Sequence, residues 1–114
     1  MPTPTKDKLH GTLDALILRT LQAGPRHGYA ITRWLRERSQ EAIVVEEGSL
    51  YPALYRLSRL GWVEAEWGTS ELGRKARFYR LTPRGRKQLV EEVEGFRRFV
   101  TAVSPILLVP GDLT

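Results

Sequence analysis

The sequence predicts a mainly α-helical chain with one small antiparallel β-hairpin, and three observations predict it. Apolar residues recur at three- and four-residue intervals through most of the chain. Only residues 62–81 change to a two-residue alternation, interrupted by a polar turn with two glycines. A last helical series at Leu89, Val93, Phe96, Val100 and Val103 continues beyond what three helices and a ribbon enclose.

In chain order, residues 1–8 are polar with two prolines and read as a loose arm. Leu9, Leu13, Leu16, Ile17 and Leu21 mark a first helix over about 9–22. Leu18 lies off that stripe and is assigned, with Leu13, to a second contact surface. Ala23-Gly24-Pro25 turns the chain. His27 to Arg38 is the second helix, buried through Ala30, Ile31, Trp34 and Leu35. Ile43-Val44-Val45 is read as a short extended piece packed on the body.

The third helix opens near Ser49, its expected N-cap, with Pro52 in the first turn where a missing amide is harmless. Leu50, Ala53, Leu54, Leu57 and Leu60 share one side, and Tyr51, Pro52, Tyr55, Arg56 and Arg59 the other. Gly61 stops it. Residues 62–67 and 76–81 are the two strands, joined by a turn over 68–75. Thr82-Pro83 then caps a last helix, which Pro105 is expected to end. The expected organisation is a body over residues 9–82, a dimerisation helix over 83–104, and flexible termini at 1–8 and 105–114.

Composition narrows the function. Eighteen Lys+Arg against 13 Asp+Glu leave a net charge of +5. Lysine occurs only at 6, 8, 75 and 87, so the cations are mostly arginine, whose planar fork suits phosphate and guanine edges. The charge points to nucleic acid as the partner. Without cysteine there are no disulfides, thiolate metal sites or cysteine nucleophiles. His10 and His27 belong to no recognisable metal-binding motif, so no metal or cofactor is expected. No nucleophile–base pair or phosphate loop appears, which argues against an enzyme. The N-terminus lacks an apolar signal core and Ile106–Val109 is too short to span a bilayer, so the expectation is a cytoplasmic protein without membrane contact.

A helix followed by a ribbon with a cationic turn is the outline of a winged helix-turn-helix, which lays the helix in a groove of double-stranded DNA. Ser49, Tyr51, Pro52, Tyr55, Arg56 and Arg59 stand where base edges and phosphates are met, and Arg74, Lys75 and Arg77 on the turn meet the backbone. The helix N-terminus is itself expected to favour a phosphate. Leu89, Val93, Phe96, Phe99, Val100 and Val103 are expected to pair with a second copy. Trp62, Trp67, Phe96 and Phe99 either pack in the core and interface or line an aromatic pocket there. A different class stays open: a winged-helix protein-interaction module without specific DNA contacts.

Four segments carry a family resemblance: His27-Gly28-Tyr29-Ala30-Ile31, the run Glu47-Gly48-Ser49-Leu50-Tyr51-Pro52-Ala53-Leu54-Tyr55-Arg56-Leu57, Gly61-Trp62-Val63-Glu64, and Tyr79-Arg80-Leu81-Thr82-Pro83-Arg84-Gly85. In order and spacing, over about residues 9–95, they resemble the PadR family of bacterial transcriptional regulators. Residues 11–18 and 64–71 are similar to its acidobacterial-type branch. The resemblance implies a homodimeric repressor on an inverted-repeat operator, with the C-terminal helix packed on the partner's N-terminal helix. It adds Tyr29 to the DNA-facing residues. It also implies, for some members, relief by a small aromatic effector. This chain has one long helix where larger members carry a multi-helix C-terminal domain, which speaks against a large effector pocket.

Overall fold

The computed structural model describes the backbone of residues 4–108 and 110, and the side chains of residues 12–108 and 110. The elements are α1 (Pro4–Thr20), β1 (Arg26–His27), α2 (Gly28–Arg38), α3 (Glu47–Arg59), β2 (Val63–Thr69), β3 (Lys75–Leu81) and α4 (Pro83–Leu107). The three strands form one antiparallel sheet in the order β1-β3-β2. The expected architecture, mainly α with a small antiparallel hairpin, is the one observed; the two-residue β1 is additional.

One core holds it together. Ile17, Leu18 and Leu21 of α1, Ile31 and Leu35 of α2, and Leu50, Ala53, Leu54 and Leu57 of α3 meet Val63, Tyr79 and Leu81 of the sheet. Leu89 of α4 joins the same cluster. Two residues expected at a second-copy surface therefore belong elsewhere. Leu18 is fully buried and Leu89 is only 4% exposed, both inside the chain's own core. The reason is that α1 is enclosed on two sides, by α2 and α3 and by the root of α4, so a single stripe does not exhaust its buried surface. Leu60, expected on the inner side of α3, is exposed at its C-terminal end.

Local signals set most boundaries. Thr82 caps α4, its hydroxyl accepting from the Gly85 amide at 3.0 Å, with Pro83 in the first turn. α3 ends in paired reverse bonds: the Gly61 amide donates to Ser58 O at 3.0 Å and the Trp62 amide to Leu57 O at 3.0 Å. Gly61 takes φ +77, the left-handed conformation this ending requires. The hairpin turns through Ser70–Arg74, with Gly73 at φ +74, tighter than the 68–75 turn expected.

Four boundaries depart from expectation. α1 runs back to Pro4, so residues 4–8, read as a loose arm, are helical, with proline at the first helical position, which forms no intrahelical amide bond. Residues 1–3 and 111–114 lie outside the described residues. α3 opens at Glu47, with Glu46 rather than Ser49 at the cap and no side-chain capping bond. Pro52 is thus inside the helix, on its exposed side. Ile43–Val45 form no strand; Val45 packs on the core and Val44 is exposed. Pro105 does not end α4, which continues to Leu107, since an exposed last turn accommodates the missing amide.

The overall shape follows from α4. The radius of gyration is 16.2 Å, above the about 13 Å of a compact chain this long. The extents of 54 × 29 × 25 Å are those of a small body with a projecting helix. Gly85 fixes the root of that helix. A Cβ there would sit on the Trp62 carbonyl oxygen, so only glycine lets α4 cross the start of β2. The appended dimerisation helix expected from residue 83 onward is thus rooted in the body itself, and only its distal part projects.

Candidate nucleic-acid interface

α3 is positioned by its buried stripe. Leu50, Ala53, Leu54 and Leu57 face the core. At 100° per residue the opposite face is centred on Gly48, Pro52, Tyr55 and Arg59, all exposed. Tyr55 is 67% exposed, and the Arg59 guanidinium lies 5.9 Å from its ring centroid. This cation–π contact orders a long side chain without burying its donors.

The flanks of α3 differ from the centre. Ser49 and Arg56 turn toward α1. Ser49 is exposed, but Arg56 donates from Nη2 to Asp14 Oδ1 at 2.5 Å, and Asp14 is buried. Arg56, expected as a leading charge donor, is therefore a strut between α1 and α3. On the other flank Tyr51 leans over α2, where a Cβ on Gly28 would strike its hydroxyl and ring. Burial raises the Tyr51 pKa above its usual 10.0, and the Glu47 carboxylate adds to the rise. Tyr51 keeps part of its ring in solvent, so it is both a packing residue and a candidate contact. Neither tie has a signal in the sequence, because each joins residues far apart in the chain.

The start of α2 carries Tyr29, 68% exposed. His27 caps that helix, Nδ1 accepting from the Ala30 amide at 3.2 Å. Its ring stacks on Tyr29 at 6.4 Å and meets Phe78 edge-on at 5.3 Å. This is the structural role for His27, tying α2 to the sheet.

At the start of α3, Glu46 and Glu47 are both exposed. They complement the helix dipole but repel a phosphate there. The N-terminus expected to favour a phosphate is thus flanked by two exposed carboxylates.

The register of the hairpin sorts its charges. Val63↔Leu81, Ala65↔Tyr79, Trp67↔Arg77 and Thr69↔Lys75 share one face; Glu64↔Arg80, Glu66↔Phe78 and Gly68↔Ala76 share the other. The first face covers the core at its root and carries two cations and no carboxylate farther out. The second holds both strand carboxylates, with Arg80 paired to Glu64 through a 2.6 Å bond. Trp67 lies on the cationic face, its ring 5.2 Å from Lys75 Nζ and 5.7 Å from Arg77 Cζ. Arg74 is exposed in the turn.

The four aromatics considered for an effector pocket do not meet within one chain. Trp62 packs at the hairpin root beside Gly85. Trp67 is five residues along β2, about 17 Å away in an extended strand. Phe96 is eleven residues beyond Gly85 on α4, about 16 Å along the axis, with Phe99 a turn farther. Two clefts lie elsewhere: one of about 370 Å³ beside Leu13, Val44, Val45, Glu46 and Ser49, and one of about 320 Å³ between Leu16, Trp34 and Ile43. Among the described residues no helix is long and apolar enough to cross a membrane.

Known proteins share this arrangement. The sequence model of the transcriptional regulator PadR-like family matches residues 17–91. A transcriptional regulator from Clostridium thermocellum superposes with a TM-score of 0.80 at 29% identity, covering 89% of this chain and 98% of that one. A PadR-like transcriptional regulator from Bacillus cereus gives a TM-score of 0.75 at 30% identity, covering 89% and 96%. In sequence, the transcriptional regulator Rv3488 of Mycobacterium tuberculosis is 42% identical over 60 residues, 52% of this chain and 55% of that protein. A helical body, a short hairpin and a long last helix, matched over most of the chain, make this protein a member of the PadR-like family of DNA-binding transcriptional regulators.

Proposed function

We propose that the protein is a homodimeric, sequence-specific repressor that grips an inverted-repeat operator with two copies of α3 and the hairpin. One observation carries this reading. α3 seals its apolar stripe inside the chain while its opposite face presents Pro52, Tyr55 and Arg59, and the hairpin that follows bears Lys75 and Arg77 on one face. In the dimer the two α3 helices sit about 34 Å apart, in successive major grooves. Ser49, Tyr55 and Arg59 read base edges and nearby phosphates, with Tyr51 and Pro52 alongside. Tyr29, Arg74, Lys75 and Arg77 hold the backbone. The second copy packs on Val93, Phe96, Phe99, Val100 and Val103, with Leu13 of the partner's α1 alongside. The repressor role rests on the family resemblance. Relief by a small aromatic molecule requires Trp62 of one copy to meet Phe96 and Phe99 of the other, because one chain keeps them apart.

The test is selection of bound fragments from genomic DNA, followed by titration of the recovered site. Arg59→Ala weakens that site by about 1–3 kcal/mol and relaxes its sequence preference. The double change Arg74→Ala with Lys75→Ala weakens every duplex and lowers the slope of log affinity against log salt by about two. A protein-interaction module is the outcome if no duplex is retained even at low salt.

A further inference from the structure

The hairpin face that sorts cations from carboxylates also carries an indole that lies largely outside the core. Trp67 is 61% exposed, although it sits on the same face as the buried Val63, Tyr79 and Leu81 and the half-buried Ala65. The face runs out of core before it reaches Trp67, so the ring is covered only in part. The ring is nonetheless fixed, with Lys75 and Arg77 over it and Arg77 directly across the ladder. The strand carboxylates Glu64 and Glu66 belong to the opposite face, and Glu71 in the turn forms no ion pair with Lys75 or Arg77. An apolar ring framed by unneutralised cations fits a partner that alternates apolar and anionic surface. The sugar–phosphate backbone of duplex DNA is such a partner, offering a deoxyribose face between phosphates.

Resting on the DNA-binding reading above, we infer that Trp67 is a DNA-contact residue of the wing: its indole lies against a deoxyribose while Lys75 and Arg77, held against the ring, meet the flanking phosphates. The arrangement also shortens the search of two long side chains before binding, since each loses less rotamer freedom when the phosphate arrives. The sequence alone assigns this tryptophan to packing or to a pocket; the ladder register and the exposure together move it to the DNA side.

The experiment uses the full chain and a short mixed-sequence duplex at several salt concentrations. Trp67→Ala is expected to weaken binding about tenfold, and Trp67→Phe less, on the scale of one lost aromatic contact. Neither change alters the salt slope, because every phosphate-neutralising cation is kept. Duplex addition should quench tryptophan emission in the unaltered protein and shield it from iodide, and the Trp67→Phe protein should show neither change, since Trp34 and Trp62 are packed against the core. Unaltered affinity in Trp67→Ala, with the starting protein binding normally, overturns this inference and leaves the DNA-binding reading intact. A salt slope that falls along with the affinity also overturns it, because the ring then acts only by holding the cations. Failure of the unaltered protein to bind any duplex overturns both.

Discussion

In α3 the apolar residues Leu50, Ala53, Leu54 and Leu57 are all buried against the chain's own body. In α4 the corresponding stripe is buried at Leu89 and then continues through Val93, Phe96 and Val100 into solvent, with Phe96 58% exposed. Both helices are amphipathic, and both are good local matches to a helical pattern. What separates them is whether the tertiary structure supplies a covering surface. α3 has one, so its remaining face is free to meet a ligand. The distal part of α4 has none, and in the proposed dimer a second copy covers it. An exposed apolar stripe of this length is a poor surface for a lone molecule.

The contrast can be broken at the root of α4 with the largest effect. Gly85→Val pushes a side chain onto the Trp62 carbonyl and should remove about 3 kcal/mol of stability. That is a fall of about 15 °C in Tm for a domain of this size, read by calorimetry. A change of only a degree or two means the crossing of α4 over β2 is looser than drawn. Farther along the same helix the expected outcome is different in kind. Phe96→Asp keeps the body folded but places an unpaired carboxylate in the pairing stripe, so light scattering should report half the starting mass. A dimer that survives this change has its interface elsewhere.

α3 is sharpened by two smaller changes on its flanks. Gly28→Ala puts a Cβ into the Tyr51 hydroxyl and should cost about 1–2 kcal/mol, with weaker duplex binding as Tyr51 is displaced. Tyr51→Phe is the rescue: in the Gly28→Ala background it should recover part of the stability, because the colliding oxygen is gone. Asp14→Asn removes the charge that holds Arg56 and should cost about 1 kcal/mol, since Arg56 is partly in solvent. It also frees the guanidinium, and the salt slope for duplex binding should steepen by about one if that group then reaches a phosphate.

The smallest effect is on pH. The folded state holds the Tyr51 proton more tightly than the unfolded chain does, whose phenol ionises near 10.0. That contribution is complete below pH 10 and is lost as pH rises through the higher folded value. Tyr51→Phe should therefore flatten the decline of stability above pH 10. Identical alkaline unfolding profiles for the two proteins show that Tyr51 is not held in the folded state.

Much of this molecule is legible without coordinates. α2, the hairpin and the start of α4 follow from patterns confined to a few neighbouring residues, such as Thr82 with Pro83 and Gly85, or the alternation on either side of the turn. The glycine in Gly61-Trp62 ends α3 for reasons of backbone geometry that any reading of the sequence can supply. The exposed centre of α3, with Tyr55 and Arg59, comes from the same periodicity. Arg56 and Tyr51 show where the reading stops. Both have the right chemistry and nearly the right angle, yet one is spent on Asp14 and the other leans on Gly28, partners 42 and 23 positions away. Trp67 shows the converse, an aromatic residue that looks like core in the sequence and is left uncovered because the sheet outruns the body.

The sequence by itself determines which segments are helical and which alternate, and the main apolar side of each, though not their ends, because these depend on spacing and on local backbone chemistry. The tertiary structure alone decides which apolar sides find a cover and which cations find a carboxylate. Leu18 and Leu89 are taken into the core, Arg56 is tied down, and Phe96, Trp67 and Arg59 are left facing outward. The physical reason is that burial and ion pairing are properties of surfaces brought together, and residues distant in the chain carry no local trace of one another.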